Sequence, residues 1–319
     1  MMLRTAIFCL LVCIALLSTP FHVWATGEQL IAVVLVKDIP RYQNIHHVFA
    51  EELSLQSTAA YQLYVQSPND DFMSLRNSVR KAVAINADLI VVYGTSAALA
   101  AQMETRHIPV LFADVYNPVA QGLVLANGQA EHDIMGVRGD GPLQTLINAY
   151  LNSTSAKKIA AIYNPKDPAG KTQINILKTM AGRKAFIAVP LAITTAEEVK
   201  TFLDKLPDDI DGLLVTDSTF FTPFLTELIE IANRNKMAVL TQIPDTAELG
   251  AFMVLEHDPF EQGKELAKMA SMILSGTEIS ALNLMKPHHV HLTVNLKVAK
   301  ELGITVPFDV LAMTSRVIR

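Results

Sequence analysis

Short apolar runs alternate along the chain with longer stretches whose apolar residues recur every three or four positions. The run LIAVVLV (30–36) is continuous and rich in β-branched residues, as a strand covered on both faces requires. NIHHVFAEEL (44–53) has helical spacing, and AYQLYVQ (60–66) alternates with period two. In DDFMSLRNSVRKAVAI (70–85), Phe72, Leu75, Val79 and Val83 share one helical face, with Asp70 or Asp71 as the cap. ADLIVVYG then reads as a strand, SAALAAQMET as a helix and IPVLFA as a strand. This alternation predicts parallel sheet with helices on both sides.

The segment 117–142, NPVAQGLVLANGQAEHDIMGVRGDGP, breaks the rhythm. It is rich in Gly, Asn and Asp, has one short apolar run at 134–137, and reads as a crossing segment. A second series follows, with a helix from about 141 and strands at KKIAAIYN, AFIAVPL, DGLLVTD and MAVLTQI. Helices lie between them at GKTQINILKTMAG, TAEEVKTFLDKL and PFLTELIEIANRN. Glu197 and Glu198 in a first turn, and Gly182 past a helix end, suit the helix dipole and C-cap. The tail (GAFMVLEHD, PFEQGKELAKMASMILSG, HHVHLTVN, LKVAKELG) is too little for a third unit. It suits a chain crossing back to complete each lobe. The expectation is α/β, with two Rossmann-like lobes joined by crossing strands. The first lobe takes 26–137 plus 251–280, and the second takes 138–250 plus 281–319.

The N-terminus stands apart. Arg4 precedes an apolar core at 6–17, Pro20 ends it, and Val23-Trp24-Ala25 closes with a small residue: the pattern of a secretory signal peptide cut after Ala25. The core is short for a membrane span of roughly 20 residues, although an uncleaved anchor is the alternative. Cys9 and Cys13, the chain's two cysteines, and Trp24, its one tryptophan, all lie in this leader. The exported remainder has no disulfide and depends on core burial. Half of the 319 residues are hydrophobic, and the net charge of -5 argues against a nucleic-acid partner.

Ligands of open parallel α/β sheets bind beyond the carboxyl ends of the strands. Those ends carry Lys37, Asp38, Arg41 and Tyr42; Gly94, Thr95 and Ser96; Asp114, Tyr116 and Asn117; Tyr163 and Asn164; Asp217, Ser218 and Thr219; Thr241 and Gln242; and Glu256, His257 and Asp258. Hydroxyls at helix starts suit a carboxylate, and Asp114 and Asp217 suit an ammonium. The ligand-binding candidates are Tyr42, Thr95, Ser96, Asp114, Tyr116, Asn117, Tyr163, Asn164, Asp217, Ser218, Thr219, Gln242 and His257. Each has a plainer reading: Thr95-Ser96 and Asp217-Ser218-Thr219 as caps, Asn117-Pro118 and Asn164-Pro165 as turns. His46 and His47 are adjacent in a helix and cannot chelate together. Of His288, His289 and His291, the last two share the solvated face of a strand. No metal or cofactor is expected. Dinucleotide, P-loop, serine-hydrolase and zinc-protease motifs are absent, so no enzyme is expected either.

Seven stretches in order (ADLIVVYGTSAALAAQ, IPVLFADVYNPVAQGLV, IMGVRG, KKIAAIYNP, IDGLLVTDSTFF, LGAFMVLEHDPFEQGKELAKMASMILSG and LTVNLKVAKELGITVP) resemble the tryptophan/tyrosine-type ABC-transporter substrate-binding proteins. The resemblance implies a type I periplasmic-binding fold, a small solute such as an amino acid and an ABC permease as partner; a monomer is expected, and the leader places it in the periplasm. A ligand-sensing subunit that signals to a membrane receptor or kinase is the alternative. It further implies that Thr95 and Ser96 hold a ligand carboxylate and Asp217 an ammonium. The chain departs from the family's pattern at Arg138-Gly139 and in the charged loop 37–42.

Overall fold

The computed structural model describes residues 28–207, 209–287 and 289–319. The leader, with Arg4, Cys9, Cys13 and Trp24, lies outside them, as does His288. The first sheet contains β1 (Gln29–Val34), β2 (Tyr61–Gln66), β3 (Leu89–Tyr93), β4 (Val110–Val115) and β5 (Ile134–Arg138), in the order β2-β1-β3-β4-β5 and parallel throughout. Every residue of β3 and β4 is buried; β3 is continuously apolar, and β4 is apolar apart from Asp114. The edge strand β2 is half-buried, but its burial does not keep the period-two alternation of its sequence: Leu63 and Tyr64 are both partly covered and Val65 is exposed. Around the sheet lie α1 (Pro40–Gln56), α2 (Phe72–Ala84) and α3 (Thr95–Glu104). On α2 the buried face is Leu75, Val79 and Ala82, whereas Phe72 in the first turn is exposed. Asp71 rather than Asp70 caps this helix, accepting from the Ser74 N–H.

The second sheet is built after α4 (Leu143–Ser153). It contains β6 (Lys158–Tyr163), β7 (Ile187–Ala192), β8 (Gly212–Val215), β9 (Ala238–Thr241), β10 (Met253–His257), β11 (Val290–Asn295) and β12 (Arg316–Ile318), in the order β12-β11-β10-β9-β8-β6-β7. Its helices are α5 (Pro168–Ala181), α6 (Ala196–Asp204) and α7 (Leu225–Arg234), and later α9 (Leu296–Leu302) and α10 (Phe308–Ala312). Pro190 is tolerated because β7 is an edge strand. A 3₁₀ turn at Thr219–Phe224 precedes α7, which delays that helix relative to its sequence pattern.

Three differences from the sequence reading matter. The segment 117–142 is not wholly a crossing: β5 completes the first sheet, and the chain leaves that lobe only at Gly139. The strand at 253–257 belongs to the second sheet, between β9 and β11, not to the first lobe as the expected 251–280 piece had it. What that piece gives the first lobe is α8 (Pro259–Leu274) and the turn that follows. Leu266, Ala267, Met269 and Ala270 of α8 enter the first lobe's core. Finally, β11 runs antiparallel to β10. The chain returns from α8 through Met285, which bridges Val137, and so re-enters the second sheet from the opposite direction.

The helices α1 and α8 meet backbone to backbone at Gly263. A Cβ there would stand 2.7 Å from the Ile45 carbonyl oxygen and 3.0 Å from the Phe49 nitrogen. Backbone cannot yield as a side chain does. Gly263→Ala is therefore expected to destabilise the protein by about 1–3 kcal/mol through overpacking, read as a lower urea midpoint with an unchanged slope.

Candidate functional site

Residues from both lobes converge at the carboxyl edges of the two sheets. The central space is bordered by Arg41, Tyr42, Asp70, Gly94, Thr95, Ser96, Asp114, Tyr116, Asp167, Asp217 and Thr219. It amounts to about 20 Å³, room for little more than one water. Between the same lobes it continues outward into a groove of about 720 Å³. That groove shares Ser96, Asp70, Asp167 and Thr219 with the centre and adds Phe72, Leu75, Leu99 and Phe220.

Each aspartate at the centre is held by its own lobe. Asp114 is the penultimate residue of β4, within the stretch where the β4–β5 register shifts, and its φ of 55° is unusual for a residue with a side chain. The close approach of Gly139, where a Cβ would lie 2.7 Å from the Asp114 Cα, leaves that bulge the only room it has. The Asp114 N–H donates to Gln262 Oε1 of α8 at 2.9 Å. In the second lobe the arrangement repeats after β8: the Asp217 N–H donates to Gln173 Oε1 of α5 at 3.0 Å. Both glutamines are buried.

One cation answers both carboxylates. Arg41, in the first turn of α1, places Nε 2.8 Å from Asp114 Oδ2, an ion pair without the alignment of a hydrogen bond. Its Nη1 donates to Asp217 Oδ1. The guanidinium also lies 5.2 Å from the Tyr42 ring centroid. Burial pushes the Asp217 carboxyl above the ordinary carboxylate range; Arg41 opposes the shift and Asp114 adds to it. Burial raises Asp167 in the same way. Other contacts join the lobes. Thr219 Oγ1 donates to Asp70, Tyr116 Oη donates to Gln242 Oε1 at 2.9 Å, and Gln121 Nε2 donates to Thr172 Oγ1 at 3.0 Å.

The hydroxyl pair at the start of α3 is not a cap. The cap position is Gly94, with φ 86° and no side-chain bond, so Thr95 and Ser96 are the first helical residues. Thr95 Oγ1 accepts instead from the Tyr116 N–H at 3.0 Å, tying the β3 and β4 strand ends together. Gly94 is obligatory twice over: its φ is positive, and a Cβ would lie 2.1 Å from Tyr42 Oη.

Of the sequence candidates, Tyr42, Thr95, Ser96, Asp114, Tyr116, Asp217 and Thr219 border the central space. Asn164 and Ser218 border the outer groove. Gln242 and His257 lie on the far side of Arg41, around a smaller cavity. Asn117 turns away: its Oδ1 accepts from the Ala120 N–H, and its side chain faces a separate hollow near the lobe junction. Tyr163 packs against the second lobe's core. Arg41, Asp70 and Asp167 are central but were not among the candidates. Arg41 stands in the strand-end set with Tyr42, but a ligand-binding role goes in that reading to the tyrosine, and only the fold sets the guanidinium between Asp114 and Asp217. Asp167 caps α5 just before Pro168, a start signal present in the sequence. Asp70 carried no signal beyond the choice of cap. No group of three or more potential metal ligands occurs among the described residues.

Two α/β lobes on either side of a polar cleft, with helices flanking mostly parallel sheets, define a type I periplasmic-binding fold. The chain belongs to the ABC transporter substrate binding protein family, whose model matches residues 51–318. It is 24% identical over 238 residues to the tyrosine-binding protein of Clostridioides difficile, spanning 74% of this chain and 69% of that one. Among solved structures it resembles an ABC domain from Streptococcus pneumonia in complex with L-Trp, with a TM-score of 0.84, 21% identity and coverage of 92% and 100% of the two chains. It also resembles the ligand-free, open structure of a Clostridium difficile substrate binding protein with adhesive properties, with a TM-score of 0.68, 25% identity and coverage of 92% and 99%.

The raised Asp217 carboxyl has a signed consequence. A carboxyl that binds its proton more tightly in the fold than in the unfolded chain contributes less stability as pH rises through the interval between those two affinities. Asp217→Asn removes that slope. Urea midpoints of the variant are expected to gain on the wild type as pH rises from about 4 towards neutrality, by about 1.4 kcal/mol for each unit of the shift. Parallel pH profiles for the two proteins would contradict the assignment.

Proposed function

We propose that the protein is the extracytoplasmic solute receptor of an ABC importer, closing its lobes on an amino acid whose side chain is large and apolar or aromatic. The observation that carries the reading is the pairing of opposite needs in one small space. Carboxylates from different lobes, Asp114 and Asp217, face a cation there, and the N-terminus of α3 with Ser96 borders the same space. A zwitterion satisfies both: its ammonium goes to the aspartates and its carboxylate to the unpaired N–H groups of the helix start. The outer groove gives the side chain room against Phe72, Leu75, Leu99 and Phe220, and its volume is of the size ligand pockets have. The ligands named for the relatives, tyrosine and L-Trp, support an aromatic side chain. The leader read at 1–25 would deliver the receptor to the outer face of the membrane, where its permease partner lies.

A thermal-shift screen of the amino acids tests this. L-Tryptophan and L-tyrosine are expected to raise the melting temperature, since a ligand at about 100 times its Kd adds roughly 2.7 kcal/mol. No shift with any amino acid would sink the reading. Ser96→Ala is expected to weaken the same ligands by about 1–2 kcal/mol, the value of one hydrogen bond to a charged group. Because Thr95 and Ser96 cap nothing, its stability should stay within about 0.5 kcal/mol of the wild type.

A further inference from the structure

Arg41 occupies the position that a ligand's ammonium would need. Its side chain is 14% exposed, and its guanidinium lies between carboxylates that are each 7% exposed, one from each lobe. Its own helix does not favour it there, because a cation in a first turn opposes the helix dipole. It is held by Asp114, Asp217 and the face of Tyr42. With Arg41 in place the centre has about 20 Å³ left, so no amino acid backbone fits beside it.

An ammonium arriving at Asp217 must therefore displace the protein's own guanidinium. The displaced group stays buried among few alternatives. Asp70 already accepts from Thr219, and Asp167 accepts from the Ala169 N–H at the start of α5. A ligand that brings a carboxylate gives the guanidinium a new partner beside the start of α3. A ligand that brings only an amine leaves a buried cation short of its counter-charge, which is costly. We propose that Arg41 is a resident counter-ion, filling the ammonium position of the empty cleft and thereby restricting the site to ligands that carry a carboxylate as well as an amine. The second half of this rests on the ligand placement proposed above; the first half does not.

Two measurements separate them. Protein with ¹⁵N-labelled arginine, free of ligand, should show an Arg41 Nε–H signal protected from exchange, assigned by its loss in Arg41→Gln and shifted in Asp217→Asn. An Arg41 signal in rapid exchange and indifferent to Asp217→Asn would overturn the counter-ion. Calorimetry then compares L-tryptophan with tryptamine, which lacks only the carboxylate. The wild type is expected to prefer the amino acid on the order of a hundredfold, and Arg41→Gln to narrow that to within about tenfold. Arg41→Lys keeps the charge and should keep most of the preference, while circular dichroism confirms that both variants fold. An equal preference in wild type and Arg41→Gln overturns the selectivity. If the wild type binds no amino acid at all, the proposed function fails, and the arginine signal still decides whether Arg41 is the counter-ion.

Discussion

Carboxylates buried between two lobes must be compensated, and the site is organised around that constraint. Asp114 and Asp217 come from different sheets and are both buried. Unpaired, each would be strongly unfavourable in a medium that water barely enters. Arg41 pairs with both, which makes it a mechanical link as well as a neutraliser: the lobes cannot separate without breaking one of its ion pairs. The weaker ties at Asp70–Thr219, Tyr116–Gln242 and Gln121–Thr172 lie around the same cleft and separate with it.

The two lobes solve the positioning problem in the same way. A parallel strand ends, the chain turns, and an aspartate is held by a buried glutamine from a helix packed on the same sheet. In the first lobe the helix is α8, supplied by a part of the chain far downstream of β4; in the second it is α5. In both lobes the glutamine accepts from the aspartate's backbone N–H, and in the first Gln262 also donates to Asp114 Oδ1 at 3.4 Å. The rigidity of each lobe is thus passed to its aspartate.

Much of the architecture is legible in the amino-acid sequence. Strands buried on both faces must be continuously apolar, and 30–36, ADLIVVYG and IPVLFA were read on that basis. The strand ends that line the cleft followed from the rule for open parallel sheets, and seven of the candidate residues meet at its centre. Asn117 and Tyr163 did not follow, because a strand end fixes where a residue is and not which way it turns. Asn117 satisfies its own turn and Tyr163 its own core. The helix start at Pro40 has a proline at its first position but little apolar periodicity in 37–42, so periodicity alone places the start near 44. Arg41 stands in that stretch in plain view, but its place between Asp114 and Asp217 depends on both lobes and no local pattern shows it.

Local pattern determined the elements of this chain, their order, the parallel sheets and the polar edge at which a ligand could bind, because each depends on residues close in sequence. The tertiary structure decided the rest. Thr95 and Ser96 had the composition of a cap, but Gly94 holds the cap position, and there Tyr42, packed from another element, leaves no room for a side chain. Likewise Asp114 and Asp217 could each have served a turn; only the closure of two lobes puts one guanidinium between them. Such pairings join residues as far apart as 41 and 217, and no local pattern can encode a contact that exists only after both sheets have formed.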